Sequence, residues 1–115
     1  HTAVYETSQD RAAAMDAIRN VLGKFGNLMT QTGAVHNGFA EAVSAEELEG
    51  NVRVDPEMLE ENLMFGSPEQ VIAKLRRYEA IGVDAFIYYA SMGLGMAEQK
   101  RSLQSFIDHV MPEFT

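Results

Sequence analysis

The pattern of apolar and polar positions in the second half of the chain predicts a helix, a strand and a closing helix. Apolar residues recur at helical spacing between residues 68 and 82, and the run VDAFIYYA at residues 83–90 carries apolar side chains on both of its alternating sets. Such a run is typical of a parallel strand that is covered on both faces. The stripe of the closing helix, which Pro112 is expected to end, consists of Leu103, Phe106, Ile107, Val110 and Met111. This order of elements predicts an α/β fold.

Local signals define the first of these helices. Ser67 and Gln70 have the spacing of a capping box, and Pro68 occupies the first helical position. Gly82 stands where a residue in the left-handed conformation commonly ends a helix. Lys74 lies among the polar residues of this helix, and we expect its side chain to face water.

The first half of the chain is less regular. Residues 2–6 (TAVYE) have the composition of the end of a strand, and an alanine-rich stretch predicts a helix from about Ser8 to about Thr30. Residues 31–54 show no clear period and are rich in turn formers, so we interpret them as a variable loop region.

The predicted strands are too few for a complete parallel sheet. Asp55 before Pro56 predicts a short helix to about residue 61, and residues 63–65 resemble a very short strand. A buried parallel strand needs a neighbour on each side to satisfy its backbone groups. We therefore expect the chain either to be a segment of a larger α/β protein or to complete its sheet by association.

Composition narrows the classes of function. The 115 residues fit a single domain, and the hydrophobic fraction of 46% is that of an ordinary globular protein without a membrane-spanning run. A net charge of −8 would repel a phosphate backbone, so nucleic acid is not an expected partner. The chain has no Cys, which fits a reducing compartment, and we expect a cytoplasmic protein whose redox chemistry, if any, depends on a bound cofactor.

Three separated motifs then carry a resemblance. They are GSPE at residues 66–69, GVD at residues 82–84 and VMP at residues 110–112. In this order they resemble the C-terminal end of the bacterial luciferase-like, flavin-dependent monooxygenases. Weaker similarity covers the rest of the chain, and residues 31–54 fall in a region that varies in the family.

The resemblance implies that residues 1–115 hold the C-terminal βα units of a (β/α)8 TIM barrel, which is incomplete in this chain. It also implies reduced FMN supplied by a flavin reductase, O2 and a small organic substrate, in an oligomeric enzyme. The segment alone is expected to be inactive. Two alternatives remain: a deazaflavin-dependent oxidoreductase of the same fold, and a non-catalytic flavin-binding or structural module that completes its sheet by dimerisation.

Active sites of such barrels lie at the carboxyl ends of the strands. The resulting candidates for the flavin or substrate face are Tyr88, Tyr89, Ser91, Met92 and Gly93. A hydroxyl there can donate to a flavin or substrate oxygen, and glycine lets the backbone approach a ring. The other interpretation is that the tyrosines are ordinary core residues and the glycines form a turn. No catalytic residue is assigned.

The remaining candidate sites are weaker. His1, His36 and His109 are far apart in sequence and have no acidic partner at ligand spacing, so no metal site is predicted. The helix that begins after Ser67 exposes N–H groups that can bind an anion, but the cap residues are expected to satisfy them. His109 is expected to be a surface residue favoured by the helix dipole.

Overall fold

The computed structural model describes residues 1–30, 34–40, 55–90 and 93–115. In the first half these residues form β1 (Thr2–Val4), α1 (Ser8–Thr30), β2 (Val35–His36) and β3 (Phe39–Ala40). In the second half they form α2 (Pro56–Asn62), β4 (Met64–Gly66), α3 (Pro68–Ala80) and α4 (Met96–Ser105). The last helix continues as a π-helical turn, Phe106–Val110, and a 3-10 turn, Met111–Phe114.

The parallel sheet is centred on β1. β1 pairs with β4 in a parallel register that sets Thr2 opposite Met64, and Thr2 also forms a parallel bridge with Ala90. The backbone N–H of Thr2 donates to the carbonyl of Tyr89 at 2.7 Å. The described residues therefore show a mixed α/β arrangement with a small parallel sheet, as the sequence predicts. The (β/α)8 barrel stays a prediction.

Helices cover both faces of this sheet because successive side chains of a strand point to opposite sides. Ala3 and Tyr5 of the first strand segment pack with α1 in one apolar cluster, whereas Val4 packs with α3 and the closing helix in the other. The first cluster contains Ala3, Tyr5, Ala14, Met15, Ala17, Ile18, Leu59, Phe65 and Leu94. The second contains Val4, Val71, Leu75, Phe106 and Val110.

The ends of α2 and α3 follow the predicted local signals. The Asp55 side chain accepts the backbone N–H of Met58, and Ser67 and Gln70 form both hydrogen bonds of a capping box. Gly82 follows α3 with φ +92°, the left-handed conformation that the sequence predicts. These predictions are confirmed. The caps can be predicted from the sequence because each joins residues only a few positions apart.

The expectation that Lys74 faces water is wrong. Its side chain is only 8% exposed, and its ammonium donates to the backbone carbonyls of Glu60, Leu63 (2.9 Å) and Phe65 (2.8 Å). The last carbonyls of a helix lack partners within the helix. Lys74 therefore satisfies the end of α2 and part of β4, which fixes α3 against both elements.

Residues 34–40 contain a hairpin within the region interpreted as a loop. Asn37 and Gly38 have φ values of +51° and +82°, and His36 pairs with Phe39 across this two-residue turn. An Asn-Gly turn with both residues at positive φ is the favoured connection between two antiparallel strands. The Asn-Gly pair is thus the sequence signal that indicates this hairpin. Residues 31–33 and 41–54 lie outside the described residues.

The prediction of a doubly covered strand at residues 83–90 is also wrong for this chain. No strand is formed by residues 83–89, and within the described residues the only ladder contact of the segment is the bridge at Ala90. Ile87 is 84% exposed, and Val83 and Phe86 are exposed as well. A strand of this composition needs a second neighbour, and no described strand lies on its outer side.

The closing helix is less regular than its stripe predicts. Phe106 and Val110 are buried, whereas Leu103, Ile107 and Met111 are exposed. The backbone N–H of Met111 donates to the carbonyl of Phe106, five residues earlier, so the helix widens before Pro112. Pro112 lies within the 3-10 turn and does not end the helical segment.

Candidate functional site

The register of the sheet determines the position of each predicted site residue along the strand direction of β1. Ala90 is level with Thr2, so Tyr88 and Tyr89 lie near the amino-terminal end of β1. The carboxyl end of β1, at Val4, lies two residues beyond Thr2, which is about 7 Å at 3.3 Å per residue. The two tyrosines therefore lie below the carboxyl end of β1. Of the other candidates, Ser91 and Met92 lie outside the described residues.

Tyr88 is a packing residue on the side of the sheet that faces α3 and the closing helix. Its hydroxyl lies 2.8 Å from Oγ of Ser102, which also accepts the backbone N–H of Val4 at 2.8 Å. Its ring meets that of Phe106 edge-on, with 5.1 Å between centroids. Burial raises the pKa of the Tyr88 hydroxyl above its usual value, which keeps it neutral. These contacts match the interpretation of Tyr88 as an ordinary core residue.

Unlike Tyr88, which is partly buried, Tyr89 is exposed. Its side chain is 56% exposed, and its ring meets the His1 imidazole edge-on at 5.5 Å. Within the described residues its hydroxyl has no hydrogen-bond partner. Its carbonyl accepts the Thr2 N–H, which anchors the backbone beside β1. Tyr89 is thus an anchored aromatic residue whose phenol is available to a ligand.

Close packing against α1 favours a glycine at position 93. Its φ is +87°, and a Cβ at this position would lie 3.2 Å from the backbone oxygen of Ala17 in α1. The next residue, Leu94, is buried in the cluster that includes Ala17. Gly93 therefore allows the loop to approach α1 closely, which supports the interpretation of the glycines as a structural turn.

A charged cluster that sequence reasoning missed lies beside the first strand. The Arg11 guanidinium donates to both carboxylate oxygens of Glu60, at 2.6 and 2.9 Å, and the Tyr5 hydroxyl also donates to Glu60. Arg11 holds the pKa of Glu60 below its usual value, and burial followed by the Glu60 carboxylate raises the pKa of Tyr5. At neutral pH the cluster is thus a carboxylate between a guanidinium and a neutral phenol. No local sequence pattern predicts this cluster, because Glu60 is far in sequence from both Tyr5 and Arg11.

An aromatic cleft of about 730 Å³ lies between the segment 83–89 and the ends of α3 and the closing helix. Its lining includes the first residues of β1 and β4, so it opens at the amino-terminal end of the sheet. Among the described residues, six Phe and Tyr side chains line it. They are Tyr78, Phe86, Tyr88, Tyr89, Phe106 and Phe114. We call this feature the aromatic cleft.

In the described part of the chain, the acidic side chains at the aromatic cleft are Glu79 and Asp84, and no Lys or Arg lines it. Glu79 accepts a hydrogen bond from the guanidinium of Arg76 at 2.8 Å. Within the described part of the chain, Asp84 has no ion pair. Among the described residues that line it, the one basic side chain is that of His1. The cleft is therefore aromatic in its walls and acidic at its margin.

The other predicted features agree with a structural interpretation. The N–H groups at the start of α3 are engaged by Ser67 and Gln70, so that helix end does not offer a ready anion site. His109 is on the surface, with Nε2 3.7 Å from Glu6, as expected. Among the described residues, no group of three His, Asp or Glu side chains has the arrangement of a metal site. No helix in that part of the chain is long and apolar enough to cross a membrane.

Comparison with known proteins finds a sequence similarity to a flavin enzyme. The chain is similar to the flavin-dependent trigonelline monooxygenase, oxygenase component, of Acinetobacter baylyi (strain ATCC 33305 / BD413 / ADP1). The identity is 28% over 115 residues, which is 100% of this chain and 32% of the relative. The chain thus spans about a third of that relative's length. No family model and no solved structure matches the chain.

Proposed function

We propose that this chain is part of the oxygenase component of a flavin-dependent monooxygenase. The observation that carries the proposal is its similarity, over all 115 residues, to an oxygenase component of that class. The luciferase-like motifs at residues 66–69, 82–84 and 110–112 support the same class. The words "oxygenase component" in the relative's name further support a separate flavin reductase as the partner of this protein.

The proposed reaction consumes reduced FMN, O2 and a small organic substrate. One oxygen atom enters the substrate, the other leaves as water, and the two electrons that this requires come from the reduced flavin, which becomes oxidised FMN. The relative is named for trigonelline. At 28% identity over a third of that relative, we propose for this protein only a small organic substrate.

The parallel sheet supports a larger α/β architecture. Ala90, at the end of the segment 83–90, forms a parallel bridge with Thr2 of β1. The segment carries apolar residues at both of its alternating sets, and its other edge has no described neighbour. In the complete oxygenase we propose that further strands cover this edge and close a (β/α)8 barrel. The residues that act on oxygen and substrate would then lie at the carboxyl ends of strands outside this chain.

The described residues fit a flavin only in part. The aromatic cleft has the volume of a small-molecule site and offers aromatic walls to a ring. Its acidic margin, however, provides no countercharge for the FMN phosphate, and the start of α3 is already capped. We therefore assign the flavin phosphate to segments outside this chain and derive no step of the reaction through the flavin here.

Oxygen consumption tests the proposed function. The complete oxygenase, supplied with reduced FMN under air, should consume O2 with candidate substrates faster than free FMN reoxidises, and isotope from ¹⁸O2 should appear in the product. A parallel assay with reduced deazaflavin under nitrogen separates the hydride-transfer alternative. If neither cofactor supports substrate-dependent turnover, the proposal is wrong.

A further inference from the structure

We propose that Asn37 is a site of spontaneous covalent modification, at which deamidation of the side chain opens the hairpin of β2 and β3 irreversibly. The reacting atoms belong to Asn37 and Gly38, which are adjacent and lie well inside the chain, so the whole site is contained in this sequence. The proposal does not depend on the proposed monooxygenase activity.

The residue after Asn37 leaves the reacting atoms unobstructed. Asn37 and Gly38 are both exposed, and a Cβ placed on Gly38 would have no described atom within 4 Å apart from those of its chain neighbours. Deamidation begins when the backbone nitrogen of the following residue attacks Cγ of the asparagine. Glycine has no side chain that would block this attack, and it allows the backbone the widest range of dihedral angles. Asn37 therefore has the most permissive neighbour that an asparagine can have.

The hairpin is short enough to open and bring the two reacting atoms together. Its strands are joined at two residue pairs, Val35 with Ala40 and His36 with Phe39. A hairpin of this length is marginally stable, so it opens locally at a small cost in free energy. In a two-residue turn the N–H of the second turn residue takes no part in the ladder between the strands. Opening therefore releases Asn37 from its φ of +51° and lets the Gly38 nitrogen approach Cγ.

The reaction requires water and no other reactant. The Gly38 nitrogen forms a bond to Cγ of Asn37, the bond from Cγ to Nδ2 breaks, and the amide leaves as ammonia with the proton of the Gly38 N–H. The product is a five-membered succinimide, which water then opens. Attack at Cγ gives an aspartate with a normal main chain, and attack at the main-chain carbonyl carbon gives an isoaspartate, whose main chain runs through Cγ. No oxidation or reduction takes place.

The two products have different effects on the hairpin. Asp-Gly suits a two-residue turn as well as Asn-Gly does, so the aspartate keeps the hairpin and adds one negative charge. The isoaspartate adds a methylene group to the main chain within the turn. Because the register of a hairpin is set by the length and type of its turn, His36 and Phe39 can then no longer pair as they do here. The isoaspartate therefore keeps the hairpin open.

The rate of conversion at each asparagine tests the proposed site. The intact protein is incubated at mildly alkaline pH, and its peptides are then analysed by mass spectrometry with electron-transfer fragmentation, which distinguishes isoaspartate from aspartate. Asn20 is the internal control, because it is also exposed but lies within α1 and is followed by Val21. We expect Asn37 to convert at least about tenfold faster than Asn20, which corresponds to a barrier lower by about 1.4 kcal/mol. Equal rates, or aspartate formed without isoaspartate, overturn the proposal.

Two variants separate the change in charge from the change in the main chain. Asn37→Gly cannot deamidate and leaves a Gly-Gly turn, and Asn37→Asp carries the charge of one product with a normal main chain. Nuclear Overhauser contacts between His36 and Phe39 report whether the hairpin is closed. These contacts should persist in aged Asn37→Gly and in fresh Asn37→Asp, and they should disappear from the aged wild type in proportion to its isoaspartate. If the isoaspartate form keeps the contacts, or if aged Asn37→Gly loses them equally, deamidation does not open the hairpin and the proposal is wrong.

Discussion

Replacing Lys74 by Met tests whether the buried ammonium holds α2, β4 and α3 together. Met keeps most of the side-chain volume but removes the donor of three hydrogen bonds to backbone carbonyls. Hydrogen bonds to a charged group each contribute about 1.5–3 kcal/mol, so the three together amount to roughly 4–9 kcal/mol. Relief of the several kcal/mol needed to bury a charge offsets part of this loss. We expect a net loss of about 3 kcal/mol in the free energy of unfolding.

The assay for Lys74→Met is urea unfolding of the purified protein at neutral pH, followed by far-ultraviolet circular dichroism. Lys100→Met is the matched control, because Lys100 is exposed on α4 and a surface substitution there should change stability by less than about 0.5 kcal/mol. If the two variants are equally stable, the carbonyls do not depend on the ammonium and the reasoning fails.

The dependence on pH gives a second check of the burial of Lys74. Burial lowers the pKa of Lys74 from its usual 10.5. Between the lowered value and 10.5 the unfolded chain binds more protons than the folded one, so stability rises with pH across this window. The stability of the wild type relative to Lys74→Met should therefore increase as pH rises through the window and stay constant below it. A decrease over that range would contradict a desolvated Lys74.

Three further predictions concern other contacts of the fold. Glu60→Gln should cost about 1–2 kcal/mol at neutral pH; because Arg11 lowers the pKa of Glu60 below its usual 4.5, this difference should be present above pH 4.5 and be lost as pH falls through the lowered value. Unfolding curves across the acid pH range check this prediction, and a difference in stability that does not change with pH would refute it. Ser102→Ala should cost about 1–3 kcal/mol in thermal unfolding, because it leaves a buried N–H of β1 without its acceptor; an unchanged melting temperature would refute it. Gly93→Ala should destabilise more than Gly38→Ala, since both glycines have positive φ but only the former approaches another backbone, and equal losses would show that the close approach is unimportant.

At the predicted site, sequence periodicity predicts only part of the arrangement of the side chains. Alternation along residues 83–90 places Tyr88 and Tyr89 in different sets, but it does not say which of them packs against the core. The structure decides this, because Ser102 and Phe106 come from the closing helix and meet Tyr88 alone. The register with β1 likewise places both tyrosines below the carboxyl end of β1, which no pattern within the segment indicates.

The sequence by itself determined the α/β class, the bounds of α1 and the starts of α2 and α3. The caps at Asp55, Ser67 and Gly82 join residues within a few positions, so their physics is contained in a short stretch. The motifs at residues 66–69, 82–84 and 110–112 also resemble those of flavin-dependent monooxygenases.

Only the tertiary structure decided which polar side chains are buried. Lys74 lies on a helix face that is polar in sequence, yet it is buried because three backbone carbonyls, at the end of α2 and in β4, converge on it. Glu60 joins Tyr5 and Arg11, which are 55 and 49 residues away along the chain. The aromatic cleft likewise forms between the segment 83–89, α3 and the closing helix. Such partners are brought together by packing, and no local pattern records which distant groups will be desolvated together.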